Sequence, residues 1–291
     1  MERPRARHHP TDVTVVVPMY NAAATIARCL ESVRAQTKPP ARIVVVDDAS
    51  SDHSIEVARE AGLPNVELIS AANNGGPGAA RNRGAALAVT DWVAFLDADN
   101  TWEPAFLEEV CAAIADFDAD FGSSGGTRHL RYPRPRSVNR TLERGPSRAD
   151  RSADFWKISL RFMPVVPSSL VVRRSLFERV GGFPEDVRTG EDITLVARLW
   201  LHGRFCFVNR PVYTSVQLGS GVSAGPRTYH DVRKLLARVG LTLWRSARSR
   251  RAGTLWFALA YGRMFVGRHA SFLSRLACGP RGPPVAGSET A

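Results

Sequence analysis

The stretch VAFLDADNTW, residues 93–102, runs from four apolar residues straight into Asp97-Ala98-Asp99. An unbroken apolar run of this length suits a strand covered on both faces. Such a strand delivers its next residues to the carboxyl edge of the sheet, where open α/β sheets bind ligands. Two carboxylates one residue apart can both reach one divalent cation that also holds a diphosphate. Asp, Asn and Thr after a strand are equally ordinary turn residues, so the rest of the chain has to decide.

Working outward, the same strand-then-helix rhythm repeats. Val13–Val17 (VTVVV) reads as a buried strand ended by Pro18, with Met19-Tyr20-Asn21 as the turn at its edge. Ala22–Gln36 follows as a helix with Ile26, Leu30 and Val33 on one face. Ile43–Val46 is a second strand, carrying Asp47 and Asp48 to the same edge. Ser51–Ala61 is a second helix, with Gly62 as its terminator. Val66–Ile69, the loop NNGGPG (73–78), a helix over Ala79–Val89 and the strand Val93–Leu96 continue the series. Glu103–Phe117 reads as a helix with Pro104 in its first turn, and Ala119–Ser123 as a fifth strand. This alternation predicts a doubly wound α/β sheet.

The pattern then changes. Gly125–Arg151, rich in Arg, Pro, Ser and Gly, reads as a long loop or lid. Ser168–Val172 returns to strand, and Ser175–Val180 is a short helix before Gly181-Gly182-Phe183. Ile193, Val196, Ala197 and Trp200 form a helical stripe, with strands over Phe205–Val208 and Val212–Val216. Beyond Pro226 the pattern is helical only, over Asp231–Ala252 and Thr254–Leu276.

The net charge of +11 is unevenly spread. From Pro226 onward there are 12 basic and 2 acidic residues, and from Thr127 to Phe162 there are 10 and 3. The remainder carries 17 basic and 23 acidic residues, so an acidic body bears two basic segments. The four cysteines show neither paired nor zinc spacing, so free cytosolic thiols are expected, with Cys29 and Cys111 packed on helices. The basic N-terminus has no apolar core of a signal peptide, and no apolar run reaches membrane-spanning length. No helix-turn-helix, zinc-finger or RNP-like pattern points to nucleic acid.

Five motifs carry chemistry: VPMYN (17–21), VVDDAS (45–50), NNGGPGAARNRG (73–84), FLDAD (95–99) and GGFPEDVRTGED (181–192). In order and spacing they resemble the family-2 glycosyltransferases over about residues 12–223. The resemblance implies a GT-A-type, Rossmann-like mixed sheet with a C-terminal helical extension. It divides the chain into a disordered start (1–11), a catalytic domain (12–225), a basic helical extension (226–278) and a disordered tail (279–291). Within the catalytic domain the nucleotide-binding half covers about 12–124 and the acceptor half about 125–225. The implied reaction moves a sugar from a nucleotide-diphosphate donor, a UDP-sugar, to an acceptor hydroxyl, with Mg²⁺ or Mn²⁺ and with inversion.

The same resemblance assigns residues. Pro18, Tyr20, Asn21, Asp48, Arg81 and Asp97 would meet the nucleotide, Tyr20 by the flat face of its ring and Asp48 by accepting a uracil N–H. Asp47 would instead hold the loop. Asp99 would bind the metal, and Asp192 would be the general base. Glu191, Gly182 and Phe183 would shape the acceptor side, although a structural turn with a core Phe explains Gly-Gly-Phe equally well. The glycines of 75–78 and the helix start behind them would offer amides to an anion. Arg83 reads equally as a solvated charge. One departure concerns the metal: where many relatives carry a His, YTSVQLGSGVSA (213–224) has Gln217 or Leu218, and His230 is a weak substitute.

The acceptor implied is a glycan, a lipid-linked intermediate or a small molecule. Leu255, Leu259, Val266, Leu273 and Leu276 form an apolar stripe opposite Arg268 and Arg275, which suits either an anionic membrane surface or the catalytic body. The location expected is cytoplasmic, with the inner face of the membrane as the candidate surface. Two other readings stand beside transfer: a sugar-nucleotide or glycan-binding protein of the same fold, and a nucleotidyltransferase. The latter should carry a Gly-rich stretch with Arg and Lys after the first strand, where this chain has PMYNAAAT.

Overall fold

In the computed structural model of the chain, residues 10–130, 136–140, 165–186 and 190–217 are described. The strands are β1 (Val13–Met19), β2 (Arg42–Asp47), β3 (Val66–Ser70), β4 (Trp92–Phe95), β5 (Asn100–Trp102), β6 (Phe121–Leu130), β7 (Arg136–Arg140), β8 (Val171–Arg173) and β9 (Phe205–Gln217). The helices are α1 (Ile26–Arg34), α2 (Ser54–Glu60), α3 (Pro77–Ala86), α4 (Phe106–Asp116), α5 (Arg174–Arg179) and α6 (Glu191–His202).

One mixed sheet runs β3-β2-β1-β4-β8-β6-β9-β5, with β7 hanging on β6. The strands β3, β2, β1 and β4 are mutually parallel. The strand β8 inserts antiparallel between β4 and β6. All four parallel strands therefore point their carboxyl ends to one edge. Alternate residues of β1 serve the two faces: Val13, Val15 and Val17 pack with Ile26, Leu30 and Val33 of α1 and with α4, while Val16 joins Phe95, Val196 and Trp200 on the other face. Each fully buried Val, Leu or Ile contributes roughly 1.5–3 kcal/mol. Helix α3 lies so close to β1 that a Cβ at Gly84 would come within 2.4 Å of Val16.

Pro18 does not end the first strand. β1 continues through it to Met19, paired with Asp47. Val16 offers its carbonyl to the Leu96 N–H on the β4 side. Pro18, two residues on, faces that same side after β4 has ended, so its missing N–H costs no ladder bond.

The first helix starts at Ile26 rather than Ala22. The N–H groups of Ala22 and Ala23 are drawn off by Ser54 Oγ (2.7 Å) and Asp52 Oδ2 (3.1 Å), which makes 22–25 a turn clamped to α2. Likewise α4 begins after Pro104, because the Glu103 N–H is bound to the Val212 carbonyl and the Pro104 carbonyl to the Thr37 N–H, both at 2.9 Å.

The largest departure concerns 125–151. Gly125–Leu130 belongs to β6, and Arg136–Arg140 returns antiparallel beside it as β7. A polar, glycine-rich segment extends here because β9 supplies a parallel partner, with a bulge between Ser124 and Gly126. The rest of the expected lid, 131–135 and 141–151, lies outside the described residues. So do the N-terminal residues 1–9, His230 and the helices expected beyond 226. The strands expected over Phe205–Val208 and Val212–Val216 are one strand, β9. Among the described residues no helix is long and apolar enough to cross a membrane. Cys29, Cys111 and Cys206 are free and buried, and burial pushes the Cys111 thiol up to about 12.

Candidate active site

The carboxyl edge of β1, β2 and β4 gathers most of the residues singled out by the sequence. Tyr20, just past β1, is 48% exposed and presents a free aromatic face. Its neighbour Asn21 adopts φ 47°, and its Oδ1 accepts from the Ser51 N–H at 2.9 Å. The Asn21 N–H in turn donates to Ser50 Oγ, also at 2.9 Å. Asn21 thus holds the β1 and β2 turns together and keeps Tyr20 at the edge. Pro18 is buried within β1.

Both acids at the end of β2 hold loops. Asp47 Oδ2 accepts from the Ser50 N–H at 3.2 Å, while Asp48 accepts from the Gly75 N–H (2.9 Å) and the Gly76 N–H (2.7 Å). The anion at the head of α3 is therefore Asp48 itself, which takes two of the amides expected for a ligand. Each Asp48 oxygen keeps a further lone pair for a base N–H. Arg83 is exposed.

Asp97 and Asp99 follow β4. Asp97 N–H donates to Ser168 Oγ (3.1 Å), which also receives Asn100 Nδ2 (2.7 Å). Trp102 Nε1 donates to the Ser168 carbonyl at 2.7 Å. The 3-10 turn Pro167–Ser169, a segment expected from the sequence to bear on sugar selection, thus braces the acidic loop from a point some 70 residues away, and no sequence pattern marked Ser168, Asn100 or Trp102 as braces. Asp99 is half-buried, and burial, then the neighbouring Asp97, push its carboxyl up to about 6 against Arg81 and Arg28.

Arg81, on α3, is 4% exposed. Its Nε and Nη2 donate to Asp97 Oδ1 at 3.2 and 2.6 Å, and its Nη1 donates to Glu191 Oε1 at 3.1 Å. Its guanidinium lies 5.0 Å from the centre of the Phe183 ring. Burial opposes its charge, but the two carboxylates outweigh burial and hold it firmly protonated. Glu191 is pushed toward protonation, by burial first and by Asp192 second, despite Arg81. Arg81 faces two carboxylates, whereas Glu191 faces one guanidinium. Asp192, in the first turn of α6, accepts from the Ile193 N–H at 2.8 Å.

Gly182 and Phe183 are structural here. Phe183 is 2% exposed and packs against Phe95 (ring centroids 5.3 Å apart) and Phe177 (5.8 Å), so its surface is spent on the core rather than on an acceptor. Gly182 has φ 60°, and a Cβ there would meet Asn82 Oδ1 at 2.6 Å. Asn82 clamps this turn, accepting from the Phe183 N–H (2.9 Å) and donating to its carbonyl (2.8 Å). Nothing local in the sequence marks Asn82, whose partner is 101 residues away.

The fit to a divalent cation follows from the donor set. Asp97 and Asp99 supply hard oxygens, and burial first, then Asp97 beside it, raise the Asp99 carboxyl, a penalty that a cation would relieve. Among the described residues no cluster of three or more His, Cys, Asp or Glu could hold a metal ion. Gln217 closes β9 without a His; Leu218 and His230 lie outside the described residues.

Against known proteins, the structure superposes on S. aureus TarS 1-349 in complex with UDP-GlcNAc with a TM-score of 0.75 over 88% of this chain and 73% of that one, at 20% identity. This likeness establishes the GT-A fold. In sequence the chain is 31% identical over 247 residues to the succinoglycan biosynthesis protein ExoU of Rhizobium meliloti, covering 78% of this chain and 68% of the relative. It is 32% identical over 208 residues to the pre-mycofactocin glycosyltransferase of Mycobacterium tuberculosis, covering 68% of this chain but only 41% of that protein. The glycosyl transferase family 2 model matches residues 14–181. The chain belongs to that family, and is a glycosyltransferase.

Proposed function

We propose that the chain transfers a sugar from a UDP-sugar to an acceptor hydroxyl by a single inverting displacement. The observation that carries this reading is the bridge through Arg81, which brings the acidic loop after β4 and the acidic start of α6 to one edge of the sheet. Tyr20 would lie against the base, Asp48 would accept its N–H, and Asp97 and Asp99 would face the diphosphate. Mg²⁺ or Mn²⁺, held by Asp99 with Asp97 beside it, would offset the charge growing on the leaving diphosphate. Asp192 would accept the acceptor hydroxyl's proton as the oxygen bonds to the anomeric carbon and UDP departs. An α-linked donor then gives a β-linked product.

A UDP donor is supported by the TarS structure solved with UDP-GlcNAc. A growing glycan as acceptor is supported by the relative named for succinoglycan biosynthesis. The basic segment 226–278 suits attachment to the anionic inner face of the membrane, where lipid-linked glycans would be met. Family membership favours turnover over the binding-only and nucleotidyltransferase readings. The test is nucleotide release with Mn²⁺ from a panel of UDP-, GDP- and dTDP-sugars. Release from at least one UDP-sugar is expected. Release from GDP- or dTDP-sugars only would overturn the donor assignment, and no release from any would overturn the reading.

A further inference from the structure

We infer that Arg81 is a positioning residue that sets the base-bearing start of α6 against the donor-binding loop, rather than a ligand of the nucleotide. The inference rests on the proposed roles of Asp97, Asp99 and Asp192. Arg81 is buried, with its guanidinium turned to protein partners. Its Nε, Nη1 and Nη2 are all engaged by Asp97 and Glu191, and one side of its guanidinium is covered by Phe183.

The connection is specific in its ends. Asp97 sits two residues before Asp99, and Glu191 immediately before Asp192. One rigid, planar cation therefore joins the loop that would hold the diphosphate to the helix turn that would hold the base. α3 is itself fixed, because Gly84 allows it to lie directly on Val16 of β1 and Asn82 clamps the turn at Phe183. The guanidinium is thus anchored from behind, and both acidic segments are located relative to it. A lysine would keep the charge but could not span both carboxylates with a fixed fork.

The experiment measures UDP affinity by calorimetry and the rate of UDP release at saturating donor. Its probes are UDP-glucose, UDP-galactose and UDP-GlcNAc with Mn²⁺ and water as acceptor. Wild type, Arg81→Lys, Glu191→Gln and the double variant are compared. A small misplacement of the base costs up to about 10²-fold in rate, so Arg81→Lys should lower release by about 30-fold and Glu191→Gln by about 10-fold. UDP affinity should stay within about threefold in both. The double variant should be no slower than Arg81→Lys, because both changes break one connection.

Multiplying effects would overturn the inference. So would a loss of UDP affinity in Arg81→Lys with an unchanged rate at saturation, the signature of a nucleotide ligand. Should Arg81→Lys fail to fold, Glu191→Gln decides alone: a rate within about twofold of wild type overturns the inference. Asp192→Asn, run in parallel, separates the two levels. If it releases UDP normally, the base assignment itself has failed; if it is slow while Glu191→Gln is unaffected, only the role of Arg81 has. Absence of release by wild type from all three donors overturns both.

Discussion

Asp192→Asn is expected to bind UDP as the wild type does and to lose transfer by roughly 10²-fold or more, the usual size of general-base assistance. The two outcomes separate because the residues come from different elements. Asp48 follows β2, Asp97 and Asp99 follow β4, and Asp192 opens α6. The asparagine can still accept the Ile193 N–H that Asp192 accepts now at 2.8 Å, so the helix start should survive the change. What disappears is the only function an amide cannot supply, acceptance of a proton within about 3 Å of the attacking oxygen. Asp192→Glu should keep a little activity, since the longer arm displaces the carboxylate. Glu191→Gln should be milder than Asp192→Asn, because Glu191 is turned inward to Arg81. Parallel calorimetry and nucleotide-release assays give both quantities. Near-normal release by Asp192→Asn with a large loss in Glu191→Gln would move the base one residue earlier.

The second large effect concerns Asp99. UDP affinity should fall sharply with EDTA and in Asp99→Asn, and unchanged binding in both would remove the metal assignment. The pH dependence has a definite sign. Burial and Asp97 push the Asp99 carboxyl up to about 6, and only the carboxylate coordinates a cation. Mn²⁺-dependent affinity should therefore weaken as pH falls through 6, by about tenfold between about pH 5 and about pH 7 for a single such group. Stability of the free protein runs the other way. A carboxyl whose folded pKa is raised contributes stability when protonated, and this is lost as pH rises from its ordinary range through 6.

Three of the four parallel strands, β1, β2 and β4, were legible because they are buried on both faces. VTVVV, IVVV and VAFL are apolar runs that admit few other readings. The edges of the helices were not, since Ala22 and Ala23 give their amides to side chains of another helix's start, Ser54 and Asp52. The extension of β6 was hidden for a related reason. GSSGGTRHL has no alternating apolar pattern, and β9 rather than intrinsic preference makes it a strand. β5, three residues directly after the acidic pair, was read as part of the turn.

In the site, the acids stood out because carboxylates after successive strands share one edge. Their supports did not. Asn82, Ser168 and Trp102 work through partners far away in the chain, and Asn21 and Phe183 turn out to hold turns and core together. The burial of Arg81 between Asp97 and Glu191 is likewise a property of the assembled fold.

The most direct test of the central claim, a single displacement assisted by Asp192, is the configuration of the sugar at the moment of release. Wild-type protein with Mn²⁺ and the α-linked UDP-sugar that it hydrolyses fastest is followed by proton NMR before the free sugar mutarotates. The account predicts that the β-anomer appears first and that Asp192→Asn suppresses it. Initial appearance of the α-anomer would contradict the account, because retention requires chemistry other than one attack opposite the leaving diphosphate.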